Sequence, residues 1–317
     1  MMKGKTAMKN SKDIAFKNRS IEMSGKIYFP NDFDSEKTYS AIVLATPGSS
    51  VKEQIGAIYS EKLSARGFVA LTFDPSYQGK SGGEPRDLED PAARVEDIRC
   101  AVDYLMTQGY VGEARVGLLG ICAGGGYAIN AALTEHRVKA VGTVVANDIG
   151  SAFRKMLARD ELLKKIKEAG AQRTAEARGG ETKRDNWIPD SLKEAEAAGI
   201  QDPELLEAVK FYRESQYRHP NSTNRLLFTS YAQLLNFDAF HLVPELLIQP
   251  LQVVVAGKRG NTGQYEAGKH LFELSPAAEK DLFVVEGAGH YDMYYKPEYV
   301  AQAIDKLVAF YSKHLGV

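Results

Sequence analysis

Two cysteines, Cys100 and Cys122, one tryptophan and six histidines are all that the 317 residues offer of these types. Neither cysteine sits in a CxxC or a Cys/His cluster, so the pair cannot build a disulfide framework or a structural zinc site, and no metal is expected. An excess of charge is lacking as well: 40 Lys plus Arg face 41 Asp plus Glu, for a formal net charge of -1. That balance leaves no electrostatic footprint for nucleic acid or an anionic membrane surface. No window approaches the roughly 18 apolar residues of a membrane span, and the basic start MMKGKTAMKNSKD is not followed by an apolar run of signal-peptide length. These absences predict a cytoplasmic protein with a disordered segment over residues 1–13. Internal repeats and low-complexity tracts are also missing.

What the sequence does have is a series of apolar, β-branched runs: GKIYFP, SAIVLAT, GFVALTFD, ARVGLLG, VKAVGTVVAND, LQVVVAG and DLFVVEGAG. Several are continuous rather than alternating, as in strands buried on both faces of a mostly parallel sheet. Helical patterns lie between them. DPAARVEDIRCAVDYL opens on Asp90 as N-cap and Pro91, then spaces Val95, Ile98, Val102 and Leu105 along one face and leaves Cys100 on the other, without a partner in the core. The last helix aligns Val300, Ile304, Leu307 and Tyr311 in the same way. The fold class is therefore α/β, a mostly parallel central sheet flanked by helices. Between Asp148 and Leu251 the patterns are those of polar, capped helices, one with a Ser191/Glu194 capping box and a Gly199 stop. A stretch of that length without a strand reads as an inserted helical cap over 151–247, with the core formed by 14–150 and 248–317.

One turn carries a chemical signature. In GLLGICAGGGYAI, Gly120, Cys122 and Gly124 fit the pattern G-x-nucleophile-x-G, with a strand before it and a helix after it. The turn would lift the sulfur above the sheet at the positive end of a helix, which favours thiolate. GKSGG matches the same pattern at Ser81, but no strand leads into it and EPRD follows in place of a helix. A base is offered by His290 in GAGHYDMY, after the last predicted strand. His136, His219, His241, His270 and His314 lie at helix ends, in or near the cap, or on a helix. For the group that orients His290, Asn261 in AGKRGNTGQY and Asp148 in VVANDIG are rivals, each with a simpler role as turn former or helix cap. The oxyanion donors would be the N–H of Ala123 and that of Gly48, with Ser49 beside it, in the loop PGSS.

With these motifs in that order, the chain resembles the dienelactone hydrolase-like branch of the α/β-hydrolases. GICAGGG is similar to the family's nucleophile turn, FDPSYQGKSGGEP to its aspartate and glycine loop, and GAGHYDMY to its histidine loop. The resemblance implies a Cys-His-acid triad that hydrolyses esters, thioesters or lactones without a cofactor, and it departs from the family at Asn261, where the acid is expected. More loosely, the chain resembles hydrolases and acyltransferases of polyketide thioesters, so acyl transfer stands as an alternative, as does a binding protein that has lost catalysis. A dinucleotide site is excluded because Gly124 and Gly126 are followed by Ile129 where a third glycine would stand. The expected partner is a small-molecule acyl substrate, and a homo-oligomer is compatible with the sequence.

Overall fold

The computed structural model describes residues 10–316. In chain order the strands are β1 (Ser11–Asn18), β2 (Ile21–Tyr28), β3 (Tyr39–Ala45), β4 (Val69–Phe73), β5 (Val111–Ile121), β6 (Val138–Val144), β7 (Arg184–Asn186), β8 (Arg225–Leu227), β9 (Leu251–Ala256) and β10 (Lys280–Val285). Eight of them make one sheet in the order β1-β2-β4-β3-β5-β6-β9-β10; β1 and β2 are antiparallel, and every pair from β4 to β10 is parallel. The continuous apolar runs have the predicted cause. In β3, Ala41, Val43 and Ala45 point into one core while Ile42 and Leu44 point into another. Helices α1 (Ala57–Ser64), α2 (Pro91–Met106) and α3 (Ala123–Ala132) fall between β3 and β6 in the chain.

The segment between β6 and β9 carries α4 (Ile149–Met156), α5 (Arg159–Ala177), α6 (Leu192–Ala197), α7 (Pro203–Val209), α8 (Ser230–Asn236) and α9 (Val243–Leu246). After β9 come α10 (Gln264–Leu274), α11 (Asp292–Tyr295) and α12 (Pro297–Leu315). One core layer is made by α2, α3 and α10, the other by α1 and α12. Val95, Ile98, Val102 and Leu105 of α2, and Val300, Ile304, Leu307 and Tyr311 of α12, are all buried.

Three expectations need correction. Residues 11–13 belong to β1, which pairs with β2 along its whole length; residues 1–9 of the expected disordered segment lie outside the described residues. The cap is not free of strands, because β7 and β8 pair as a short antiparallel ribbon. Cys100 is half-buried and packs against the α2 core layer, where a partnerless position was expected. Ser81, set aside on context, is buried with its hydroxyl donating to Asp74 O at 2.6 Å and accepting from Ser24 N–H at 2.9 Å. Asp74 is itself locked by the Lys52 ammonium at 2.7 Å and the Lys52 and Lys80 N–H groups, both at 2.8 Å, so this loop is a structural clamp. No helix among the described residues is long and apolar enough to cross a membrane.

Candidate active site

β5 ends at Ile121 and α3 begins at Ala123, which leaves Cys122 alone in the turn with φ 54° and ψ −124°. That backbone conformation is strained for any residue with a side chain, and it persists because its surroundings fix it. The Cys122 N–H donates to Val144 O at 3.1 Å, and the Cys122 carbonyl accepts from the N–H groups of Gly125 and Asn147, each at 2.9 Å. A side chain at Gly120 would run into the backbone of Gly124 and Gly125, and one at Gly124 into the carbonyls of Ala45 and Thr46. The spacing G-x-C-x-G is thus imposed by backbone contact on both sides of the sulfur.

The thiol lies at the floor of a pocket, open on that side and enclosed on the others. Burial pushes its pKa up; the Tyr294 hydroxyl, the Ala123 N–H and the Asn147 amide pull the other way with less weight. This corrects the expectation of a resting thiolate, because desolvation outweighs the helix start. His290 is completely buried, and burial pushes its pKa down to about 3. The resting pair is a thiol and a neutral imidazole. Turnover should therefore show no inflection near 6.5, where an ordinary histidine titrates. Stability should behave differently. From pH 6.5 down toward 3 the unfolded chain binds a proton at His290 that the folded chain refuses, so folding weakens across that window. A kcat/KM profile, and melting temperatures of wild type and His290→Gln from pH 7 to 4, check both; the variant should lose less stability on acidification.

The partners of His290 differ from both sequence candidates. Its Nδ1 meets Thr262 Oγ1 at 3.1 Å, and its Nε2 meets the Tyr294 hydroxyl at 3.1 Å. Thr262 in turn donates to Glu204 through its hydroxyl (Oε1, 2.8 Å) and its N–H (Oε2, 2.7 Å). Because the Thr262 proton is committed to Glu204, its oxygen accepts from Nδ1–H, and Nε2 is left with a lone pair toward the Tyr294 O–H. A row of hydrogen-bonded groups therefore runs Glu204, Thr262, His290, Tyr294, and Tyr294 lines the same pocket as Cys122, near enough to favour the ionised sulfur. Asn261 is exposed and donates its amide to Asp202 Oδ2 at 3.0 Å, since the chain turns inward only at the next residue. Asp148 caps α4, accepting from Gly150 N–H at 3.1 Å and Ser151 N–H at 3.3 Å. Neither is hydrogen-bonded to His290. Glu204 comes from the start of α7 in the cap, and it fits because a Cβ at Gly260 would collide with its carboxylate. Burial raises the Glu204 pKa, while the Thr262 N–H and hydroxyl act against the rise.

Across the pocket, the loop Pro47–Ser50 closes as a turn with Ser50 N–H donating to Pro47 O at 3.4 Å and Ser49 at φ 62°. The buried Arg94 guanidinium, facing Glu89, donates to Thr46 O at 2.6 Å. The carbonyl just before the loop is thereby tied to α2, while Gly48 and Ser49 line the pocket together with Cys122 and Ala123. The cavity measures about 270 Å³ and is walled by Ile149, Phe153, Met156, Trp187, Leu205 and Tyr212. A larger, more polar cleft of about 670 Å³ adjoins it at Asn147, Asp202 and Thr262. The cap aromatics Phe153, Trp187 and Tyr212 line the pocket with the sulfur, whereas Phe211, Phe228, Tyr231, Phe237 and Phe240 do not, and Phe211 and Phe228 are fully buried packing residues. Among the described residues no group of three or more His, Cys, Asp or Glu stands close enough to hold a metal ion.

Residues 44–303 match the model of the alpha/beta hydrolase family. The chain belongs to that family. Its relatives include the uncharacterized protein YcjY of Escherichia coli strain K12, 38% identical over 99% of this chain and 100% of that one. The crystal structure of hypothetical protein PA2218 from Pseudomonas aeruginosa superimposes on this hydrolase with a TM-score of 0.85 at 27% identity, covering 96% of this chain and 94% of the other. The thiohydrolase aneE of Aspergillus aculeatus is 25% identical over 75% of this chain and 73% of its own.

Proposed function

We propose that this hydrolase cleaves an ester or thioester of an apolar acyl group through a covalent acyl-enzyme on Cys122. The observation that carries the reading is the strained turn that holds Cys122 at the start of α3, in a pocket shared with Tyr294, from which hydrogen bonds run through His290 and Thr262 to the half-buried Glu204 carboxylate. The thiohydrolase name of one relative points the same way. In the first half-reaction the sulfur attacks the acyl carbon. The thiol proton passes to the Tyr294 oxygen as the Tyr294 proton passes to His290 Nε2, and the carbonyl electron pair moves onto oxygen, facing the N–H groups of Ala123 and of Gly48 or Ser49. Collapse expels the leaving group, which takes a proton back along the same row. Water then repeats the sequence on the acyl-enzyme. Throughout, Thr262 holds the Nδ1–H tautomer, and Glu204 fixes Thr262 and favours the imidazolium as it forms.

The two chambers divide the substrate. The 270 Å³ pocket with its apolar wall suits the acyl chain, and the 670 Å³ polar cleft suits a hydrophilic leaving group. The same cleft has room for an acceptor other than water, which favours acyl transfer as the second reading. Incubation with acyl esters and thioesters of graded chain length, followed by intact-protein mass, tests the proposal. One acyl mass on Cys122, turning over fastest with short to medium chains, is expected; no adduct with any chain would reject a covalent route.

A further inference from the structure

Tyr212 belongs to the cap, in a wide π-type turn over Lys210–Glu214 that continues α7, a deviation often found at functional sites. Its side chain is 6% exposed and its hydroxyl is buried, yet that hydroxyl has no hydrogen-bond partner among the described residues. It lies beside the hydroxyls of Ser50 and Tyr294 without making a bond of acceptable geometry to either, and Tyr212 lines the same pocket as Cys122. The ring cannot turn away to water, because Phe211 packs edge-on at 4.9 Å, with Tyr294 at 6.2 Å and Tyr291 at 6.5 Å on its other sides. A buried phenol left unpaired costs stability in the empty enzyme, and folding tolerates the cost where an acceptor arrives later.

We infer that the Tyr212 hydroxyl donates a hydrogen bond to the acyl oxygen of the substrate and holds that oxygen as it becomes anionic, adding a side-chain donor from the cap to the two backbone donors of the core. The inference rests on the covalent reading above. Three observations favour the acyl oxygen as the acceptor. Tyr212 lines the pocket that contains Cys122, Ala123, Gly48 and Ser49, where that oxygen must lie. The remaining wall is mostly apolar and needs no donor. Burial raises the phenol pKa well above its ordinary value, so it stays a donor at every pH at which the protein is folded.

Tyr212→Phe tests this with three readouts on the full chain. With the best ester of the chain-length series, kcat should fall by roughly a hundredfold while KM changes little, the scale of losing one oxyanion donor. The melting temperature should stay the same or rise, since the variant removes an unpaired buried hydroxyl and keeps the ring. Alkylation of Cys122 by iodoacetamide should proceed at the wild-type rate, because that reaction develops no oxyanion. Wild-type kcat in the variant overturns the inference. So does an equal loss in alkylation, which would place Tyr212 on the thiol and its proton path, or a lowered melting temperature that accounts for the lost rate. Failure of the covalent reading is seen separately, as a wild-type protein that forms no acyl adduct, and it removes this inference too.

Discussion

Cys122→Ala is expected to abolish ester and thioester turnover, by about 10⁴-fold or more, and to leave the fold in place. The variant removes one sulfur from the floor of an existing pocket and leaves no sealed void, and the backbone bonds from Val144, Gly125 and Asn147 that hold the turn involve no side chain. Steady-state rates, acyl-adduct mass and melting temperature together make the measurement. Undiminished turnover would show that the pocket works without its thiol and would end the nucleophile assignment. Cys122→Ser should be nearly as poor. Serine needs a stronger base than cysteine does, and burial leaves His290 a weaker base than usual.

The second large effect belongs to a residue that the sequence motifs do not single out. Tyr294→Phe should lower kcat by about 10²- to 10⁴-fold, the range of a proton-transfer catalyst, while the ring keeps its contacts with Phe211 and Tyr291. His290→Ala should do comparable damage. If the proton moves through both groups in series, the double variant should be no worse than either single one, because breaking one link already breaks the row. A Tyr294→Phe enzyme as fast as wild type, or faster, would mean that the hydroxyl merely plugs the space and that His290 Nε2 reaches the sulfur once the plug is gone. Iodoacetamide rates add a second check: in the serial arrangement both single variants slow alkylation of Cys122 near neutral pH.

What could be read in advance follows from where each constraint lives. Cys122, Gly120 and Gly124 are set by contacts within five residues, so their spacing appears in the chain as a motif. His290 is visible because it follows the last strand of a sheet whose strands announce themselves as apolar runs. Thr262 leaves no such mark. It differs from Asn261 only in which way one loop residue turns, and its partner Glu204 stands 58 residues earlier, where DPELLEAV reads as an ordinary capped helix start. Gly260 was the available signal, a glycine whose missing side chain makes room for that carboxylate. β1 escaped for a different reason: SKDIAFKN is an edge strand with half of its residues exposed to water, so it lacks the continuous apolar run that betrays the inner strands. The charge state of the thiol was misread because sequence displays the helix start but not the depth of the pocket above it.

Glu204 and Tyr212 are eight positions apart on one continuous stretch of α7 and the turn after it, and in the proposed mechanism both serve a cysteine and a histidine that the core supplies. This bears on attempts to redirect the enzyme by grafting a lid from a homologue. Such a graft would exchange the walls of the acyl pocket, as intended, but it would also unplug the far end of the proton row and the phenol over the sulfur. A chimera that keeps the residues at 204 and 212, together with the bare backbone at 260 that receives the first of them, carries a portable cassette with its socket. A chimera that keeps only the core inherits a strained cysteine with nothing to drive it.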